Sequence, residues 1–456
     1  MSTQIRYLAP TGMIGGGFTE EYFEAALGEG IEFIAVDSGS TDGGPSYLGA
    51  DRYFMSRDVI KRDLRLLVIA ARKHDIPLLI GSCGGSGGNW NLNWMWEITK
   101  EIAAEEALHF RVALIPAEPD REALVEKYRQ GRIRPLHPAP EIDETTFTDT
   151  RRIVAMMGTE PYIAALEGGA DIVLAGRSSD AALFAAIPVH RGFPAGLAWH
   201  AAKIMECGGA AVDQMKKPEG MICTITQDYF ELKPVSPEQT CSPISVASHA
   251  LYETSNPYVM HEPGGVMHLE NVSYEAVGNR AVRVRGSGFE RAPYTVKLEG
   301  AAVVGYRSQV LGGITDPMIL RDFDTWFEAA KTSVAFTLKR SLGEEAAAQC
   351  QVDYRVFGKN AVLGERDSRD FVNHHELGVL LVVVAPTQEL ASGAAAAGGH
   401  AILHFAVPQW RGLVSNLAFP VAPHLTDLGP AYSFVLNHVV ELDDPLEFFP
   451  VRFEEV

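Results

Sequence analysis

Five aliphatic runs in the first half of the chain each stop at a loop of glycine, serine, threonine, aspartate or proline, and helically spaced residues follow. They are Ile5 to Leu8, Ile31 to Val36, Pro77 to Ile80, Arg111 to Ile115 and Asp171 to Leu174. Such a pattern can bury its strands only by laying them parallel with helices on both faces. In a sheet of that kind ligands bind beyond the carboxyl ends of the strands, where these loops gather. The expected fold class is therefore α/β, a Rossmann-like parallel sheet in the N-terminal domain followed by an α+β domain.

The densest loop follows the third run, PLLIGSCGGSGGNWNLNWMWE. Gly81, Gly84, Gly85, Gly87 and Gly88 let the backbone turn sharply and approach a neighbour without Cβ interference. A helix starting near Asn89 would aim its first amides into the loop, which is an anion site in principle. Gly84, Gly85, Ser86 and Asn89 are accordingly substrate-binding candidates. A tight strand-to-helix connection explains the same glycines without a ligand.

At 456 residues the chain exceeds what one core usually supports, so two domains are expected, 1–220 and 221–456. Past residue 220 the pattern turns β-rich (MICTITQDYFEL, AVRVRGSGFE, YTVKLEGAAVVGYRSQ, QVDYRVFGKN, GVLLVVVAPTQ), with helices near Arg321–Leu342 and Gln388–Ala397. A net charge of −19 argues against nucleic acid or an anionic membrane as a partner. The longest apolar run, Val379 to Ala385, is too short to span a bilayer. Five scattered cysteines and an N-terminal stretch with no apolar core or basic start point to reduced thiols in a cytoplasmic protein.

Asp37 and Asp42, in VDSGSTDGG, are candidates for acid/base work, the alternative being Asx-type turns that cap the next helix. In AGRSSDAA, Arg177, Ser178, Ser179 and Asp180 are binding candidates. A planar guanidinium there suits a carboxylate or phosphate, the alternative being a surface pair with Asp180. A dinucleotide site is weighed because TGMIGGG follows the first run and Asp37 ends the second, yet Gly12, Gly15, Gly16 and Gly17 miss the G-x-G-x-x-G spacing. Cys83 lacks an assignable His or Asn partner and reads as a small buried thiol. His374 and His375 do not make a zinc motif, and no metal site is expected.

Taken as a set, the loops TGMIGGG, DSGSTDGGP, GSCGGSGGN and AGRSSD resemble the acyclic terpene utilisation (AtuA-like) family. So do ALYETSNPYVMHEPGGVMHLENV, APYTVKLEGA, YRVFGKNAVLG, VVVAPTQELA, NLAFPVAP and GPAYSFVLNHVVELDDP. The resemblance implies a catabolic role in terpene or branched-acid degradation and a possible small companion protein as partner. It also raises Glu253, Asn256, Lys297, Glu299, Lys359 and Asn360, with Lys297 as an acid/base candidate and Lys359 and Asn360 as binding candidates. The expected activity is a hydratase or dehydratase-type lyase acting on a small carboxylic acid or its CoA thioester. Asp37 or Asp42 would be the acid/base, Arg177 the anion anchor, and the Gly81 to Asn89 amides the stabilisers of an enolate or carboxylate oxygen. An NAD(P)-dependent oxidoreductase and a non-catalytic subunit completed by its partner are the alternatives. No cofactor is assigned, and a homo-oligomer is expected.

Overall fold

The computed structural model describes residues 3–215, 217, 219–367, 375–407 and 409–456. Two compact units divide the chain: Met1–Ala302 with Phe434–Val456, and Val303–Ser433.

The first unit is built on β1 (Gln4–Ala9), β2 (Phe33–Asp37), β3 (Leu78–Gly81) and β4 (Arg111–Ile115). These are followed by β5 (Ile133–Pro135), β6 (Arg152–Ala155) and β7 (Ile172–Ala175). Strands β1, β2, β3, β7 and β4 lie side by side in that order, all parallel. Side-chain parity splits the core cleanly. Leu8, Ile34, Val36, Ile80 and Leu174 face the helices Glu20–Leu27, Arg57–His74 and Asn89–Glu106. Tyr7, Phe33, Ala35, Leu79 and Val173 face Glu160–Glu167, Ala182–His190 and Ala195–Met205. Burial on both faces is why these strands read as unbroken apolar runs rather than alternating ones. In helix Arg57–His74 the buried Ile60, Leu64, Leu67, Val68 and Ala71 recur every three or four residues, and each large side chain stabilises by roughly 1.5–3 kcal/mol.

The sheet is α/β but its order is not Rossmann-like. A Rossmann sheet reverses at its first strand (order 3-2-1-4-5-6). Here the chain steps one way from β1 to β4 and returns to insert β7 between β3 and β4. The stretch 144–167 is not one helix. Arg152–Ala155 is buried and β-branched at its centre, so it forms β6 between the short helix Glu144–Asp149 and helix Glu160–Glu167. Asp120 caps its helix, accepting from the Ala123 amide at 3.0 Å. Thr19 occupies an N-cap position, but its hydroxyl donates to Glu219 instead.

Beyond residue 220 come β8 (Met221–Thr226), β9 (Phe230–Pro234), β10 (Val259–Glu262), β11 (Gly265–His268), β12 (Ser273–Val277), β13 (Ala281–Arg285) and β14 (Gly288–Arg291). The expected division at 220 does not match the compact units, because the open edge of β1 takes β8 as an antiparallel partner over six register pairs. Strands β9, β13 and β12 follow β8, so the β-rich run completes the first sheet instead of starting a new domain. Strands β10, β11 and β14 form a separate three-stranded sheet.

Then follow β15 (Thr295–Ile314), β16 (Gln351–Phe357), β17 (Leu377–Ala385), β18 (Leu425–Glu441) and β19 (Arg452–Glu455), the last closing the far edge of the first sheet on β4. β15 pairs with β6 through Leu298–Ala301 in the first unit, then runs into the second. There its Tyr306–Ile314 stretch pairs with β17, and β16 lies outside β17. Helices Phe323–Leu342 and Gln388–Leu403 pack against this antiparallel sheet. The GAAAAGG tract puts Ala394, Ala395, Gly398 and Gly399 on the buried face of the second helix. A Cβ on Gly398 would lie 2.8 Å from Leu381, so small residues let that helix approach the sheet. Among the described residues, no helix is long and apolar enough to cross a membrane.

Candidate functional site

The carboxyl ends of β2, β3 and β7 bring their loops together in the first unit, and the glycines there pack backbone on backbone. A Cβ on Gly39 would sit 2.6 Å from Gly85 Cα, and one on Gly87 would sit 2.6 Å from Arg177 Cα. Gly87, at φ +68°, also accepts a bond from the Arg177 amide at 2.9 Å. Gly84 and Gly85 are part of the same seam, the Gly84 amide donating to Ser38 Oγ at 3.0 Å and the Gly85 amide to the Ser82 carbonyl at 3.2 Å. These glycines therefore serve loop-to-loop packing.

Both glycine loops considered as anion cradles are filled by the protein's own carboxylates. The Asn89 amide, at the first turn of its helix, donates to Glu118 Oε1 at 2.7 Å. Glu118 is held in turn by Arg152, which also grips Asp51 through both oxygens at 2.8 and 2.9 Å. In the first loop the Gly15 and Gly17 amides donate to Asp63 Oδ2 at 2.8 and 3.0 Å. Gly12 packs on the Cys207 carbonyl, where a Cβ would lie at 2.7 Å. A dinucleotide pyrophosphate would have to displace Asp63, so this loop does not favour the NAD(P) alternative.

The charged centre is Arg177, buried at the end of β7. Its Nε donates to Glu299 at 3.0 Å, and its Nη1 donates to Asp180 at 2.9 Å, to the Ser178 carbonyl at 2.8 Å and to Ser82 Oγ at 3.2 Å. Burial opposes its charge, but Glu299 and then Asp180 more than compensate and raise its pKa. Glu299 also takes Thr41 Oγ1 and Lys297 Nζ, each at 2.7 Å. Despite burial, Arg177 and Lys297 bring its pKa down to about 2. Ser82, which receives Arg177, stands in the left-handed region at φ +44°, a strained position of the kind that collects at functional sites.

Carboxyls outnumber cations around this centre. Asp37, 8 % exposed, ends β2 with Oδ2 on the Gly39 amide and Oδ1 unpartnered. Burial and the neighbouring Asp180 raise its pKa well above the carboxylate range, against the pull of Arg177. Asp180 keeps 27 % of its side chain exposed. Burial raises it against Arg177, and the solvent it still reaches limits that rise. Glu262, at the end of β10, accepts from Ser179 Oγ at 2.7 Å and is pushed up to about 7 by burial. Glu206 pairs with Lys203 at the end of helix Ala195–Met205. Glu206 is pushed up to about 8, because burial together with Asp180 and Glu262 outweighs the lysine, while Glu206 keeps Lys203 charged. Five carboxyls (Asp37, Asp180, Glu206, Glu262, Glu299) face three cations (Arg177, Lys203, Lys297), and protons retained on the carboxyls relieve the imbalance. Tyr162, fully buried, completes the floor with its hydroxyl 2.7 Å from Ser178 Oγ.

A groove of about 510 Å³ lined by Val212, Ile244, His249, Leu251 and Tyr252 adjoins this centre, since Lys203 Nζ lies 5.9 Å from the Tyr252 ring. Another, about 340 Å³ and lined by Thr19, Tyr22, Lys217 and Glu219, meets the first groove at Asp213 and shares no residue with the charged centre. The shifted carboxyls and the orphaned Asp37 oxygen locate the chemistry at the buried edge better than groove size does. Among the described residues, no group of three His, Cys, Asp or Glu could hold a metal ion.

The model of the acyclic terpene utilisation family AtuA matches residues 85–417. The chain belongs to that family. No curated protein and no solved structure matches it. AtuA membership gives the chain a role in acyclic terpene utilisation. The matched span holds Arg177, Asp180, Glu206, Glu262 and Glu299, and leaves Asp37 and Asp42 outside.

Of the candidates named from the AtuA sequence, Asp37, Arg177, Ser178, Ser179, Asp180 and Lys297 converge at this edge. Asp42 is exposed and forms a small turn with Ser40, whose hydroxyl donates to it at 2.8 Å. Ser86 Oγ and Asn89 Oδ1 are buried without a partner. Lys359 and Asn360 belong to the second unit, where Lys359 pairs with Asp324 and the Asn360 amide donates to the Val356 carbonyl at 3.1 Å. Glu253 holds a positive φ of 56° in an exposed turn, and in the next turn the Asn256 carboxamide oxygen accepts from the Tyr258 amide at 2.9 Å. Cys83 is buried, its thiol raised by that burial, and all five cysteines are free. His374 lies outside the described residues, and His375 is exposed.

Sequence reasoning missed Glu118, Lys203, Glu206 and Glu262. Glu262 lay within a family stretch already quoted, and Lys203 and Glu206 stand three apart at a helix end, a spacing that puts them on one face.

Proposed function

We propose that this AtuA chain is a proton-transfer enzyme of acyclic terpene breakdown, a hydratase or dehydratase acting on a branched carboxylic acid or its CoA thioester. The carboxyl excess at the sheet edge carries this assignment: with Glu262 near 7 and Glu206 near 8, one group can hold a proton while its neighbour accepts one. In hydration, one carboxylate takes a proton from water as the water oxygen bonds to Cβ of the double bond. A protonated carboxyl delivers its proton to Cα, and dehydration runs the same steps in reverse. Asp37, with a free Oδ1, is the third candidate acid/base. Arg177 is assigned to holding Glu299 and Asp180 in place, and Lys297 to holding Glu299. The groove beside Tyr252 offers apolar walls for a branched chain.

The test is hydrogen–deuterium exchange at Cα of candidate acids and thioesters in D₂O, followed by NMR. Glu262→Gln and Glu206→Gln should each slow exchange by about 10²–10⁴-fold. Exchange at the wild-type rate in both variants would exclude the assignment. The same proposal includes a homo-oligomer and a small companion chain, to be checked by light scattering and by co-purification from a co-expressing host.

A further inference from the structure

Beside the glycine loop the surface carries a ladder of flat rings. Tyr53 stacks on Trp94 with ring centroids 4.5 Å apart and planes 3° from parallel, and on Trp90 at 6.0 Å and 8°. Trp90 and Tyr53 remain 40 % and 41 % exposed. The ladder is fixed to the loop, because the Asn91 carboxamide donates both to the Arg52 carbonyl at 3.1 Å and to the Gly84 carbonyl at 3.2 Å. Phe54 packs on Gly85, where a Cβ would meet it at 3.3 Å. Arg52, next to Tyr53, is exposed, and its side chain has no bond or ion pair among the described residues. In a chain of net charge −19, an arginine without an acidic partner beside an open indole is a local exception.

We propose that Trp90, Tyr53, Trp94 and Arg52 bind an adenine ring carrying phosphate. A planar heterocycle extends a ladder of parallel rings, and a guanidinium meets phosphate through its planar fork. The loop amides do not compete for that phosphate, since Glu118 already occupies the Asn89 amide. Coenzyme A, a dinucleotide and a nucleoside triphosphate share this chemistry. The site deepens the proposed function only where the source is coenzyme A, which would make the thioester rather than the free acid the substrate.

The experiment titrates the full chain with coenzyme A, NAD⁺, ATP and adenosine, following tryptophan emission for stacking and calorimetry for affinity. Saturable quenching by the phosphate-bearing adenine compound that binds is expected. Trp90→Leu should weaken that binding about ten-fold, as loss of one stacked base does. Arg52→Gln should weaken the phosphate-bearing probes several-fold and leave adenosine unchanged. Tyr53→Leu serves as the second platform variant, and circular dichroism verifies folding of each. No saturable binding by any probe, or affinities unchanged in both Trp90→Leu and Tyr53→Leu, would overturn the site. Failure here with intact dependence of Cα exchange on Glu262 leaves the acid/base assignment standing on a free acid. Binding here with no such dependence overturns that assignment alone.

Discussion

Replacing Glu299 by glutamine isolates the charge of the buried pair, because the carboxamide keeps the shape of the carboxyl. Burial pushes Glu299 up, yet Arg177 and Lys297 hold it at about 2 against an ordinary 4.5. At 1.36 kcal/mol per unit that difference corresponds to about 3 kcal/mol of native stability at neutral pH. Breaking one partner of a buried pair costs about 3–5 kcal/mol, so the two routes to the magnitude agree. Because the folded pKa is depressed, the contribution is complete above about 4.5 and disappears as pH falls through about 2. Urea titrations of wild type and Glu299→Gln should therefore differ by about 3 kcal/mol at pH 7 and by clearly less at pH 3. The double variant Arg177→Met with Glu299→Met should be less damaged than Arg177→Met alone, since it does not leave the buried Glu299 carboxylate without its guanidinium. A loss under about 1 kcal/mol at pH 7, or one that does not narrow in acid, would refute the assignment of Arg177 to an internal role and return it to the substrate.

Glu206 works in the opposite direction. Its carboxyl is raised from 4.5 to about 8, so the fold keeps a proton that the unfolded chain releases, and stability declines as pH rises through that window. The melting temperature of Glu206→Gln should fall less between pH 5 and pH 9 than that of wild type. Gly87→Ala puts a Cβ at 2.6 Å from Arg177 Cα at a φ of +68° and should cost several kcal/mol in urea titration. Gly44→Ala meets open space but sits at φ +102° and ψ 168°, a region essentially reserved for glycine, and should cost about 1–3 kcal/mol. Alkylation of the native protein at pH 8, mapped by mass spectrometry, should label the partly exposed Cys350 well before the buried Cys83.

The alternation of runs and loops was enough to derive five parallel strands and to place Asp37 and Arg177 at their carboxyl ends, because both follow from local periodicity. Strand order was not legible. Nothing local in Met221–Thr226 says that it pairs with β1, and that one pairing moves the boundary from 220 to 302. The site was legible by half for the same reason. Arg177 and Asp180 share one loop, whereas Glu299 reaches Arg177 across 122 residues of chain and Glu262 reaches Ser179 across 83. The glycine loop misled as an anion cradle because Glu118, which fills it, stands 29 residues from Asn89. No spacing rule links a helix start to a carboxylate contributed by a later strand-end loop.

The second unit is an insertion, with the first unit resuming at Phe434. During synthesis the ribosome therefore completes the inserted unit while β4 still lacks its outer neighbour β19 and β5 lacks β18. An uncovered sheet edge is a template for unwanted pairing until those last strands emerge. The nascent chain therefore keeps an open sheet edge until late in translation, and a chaperone that shields sheet edges should raise its soluble yield more than a slower rate of initiation would.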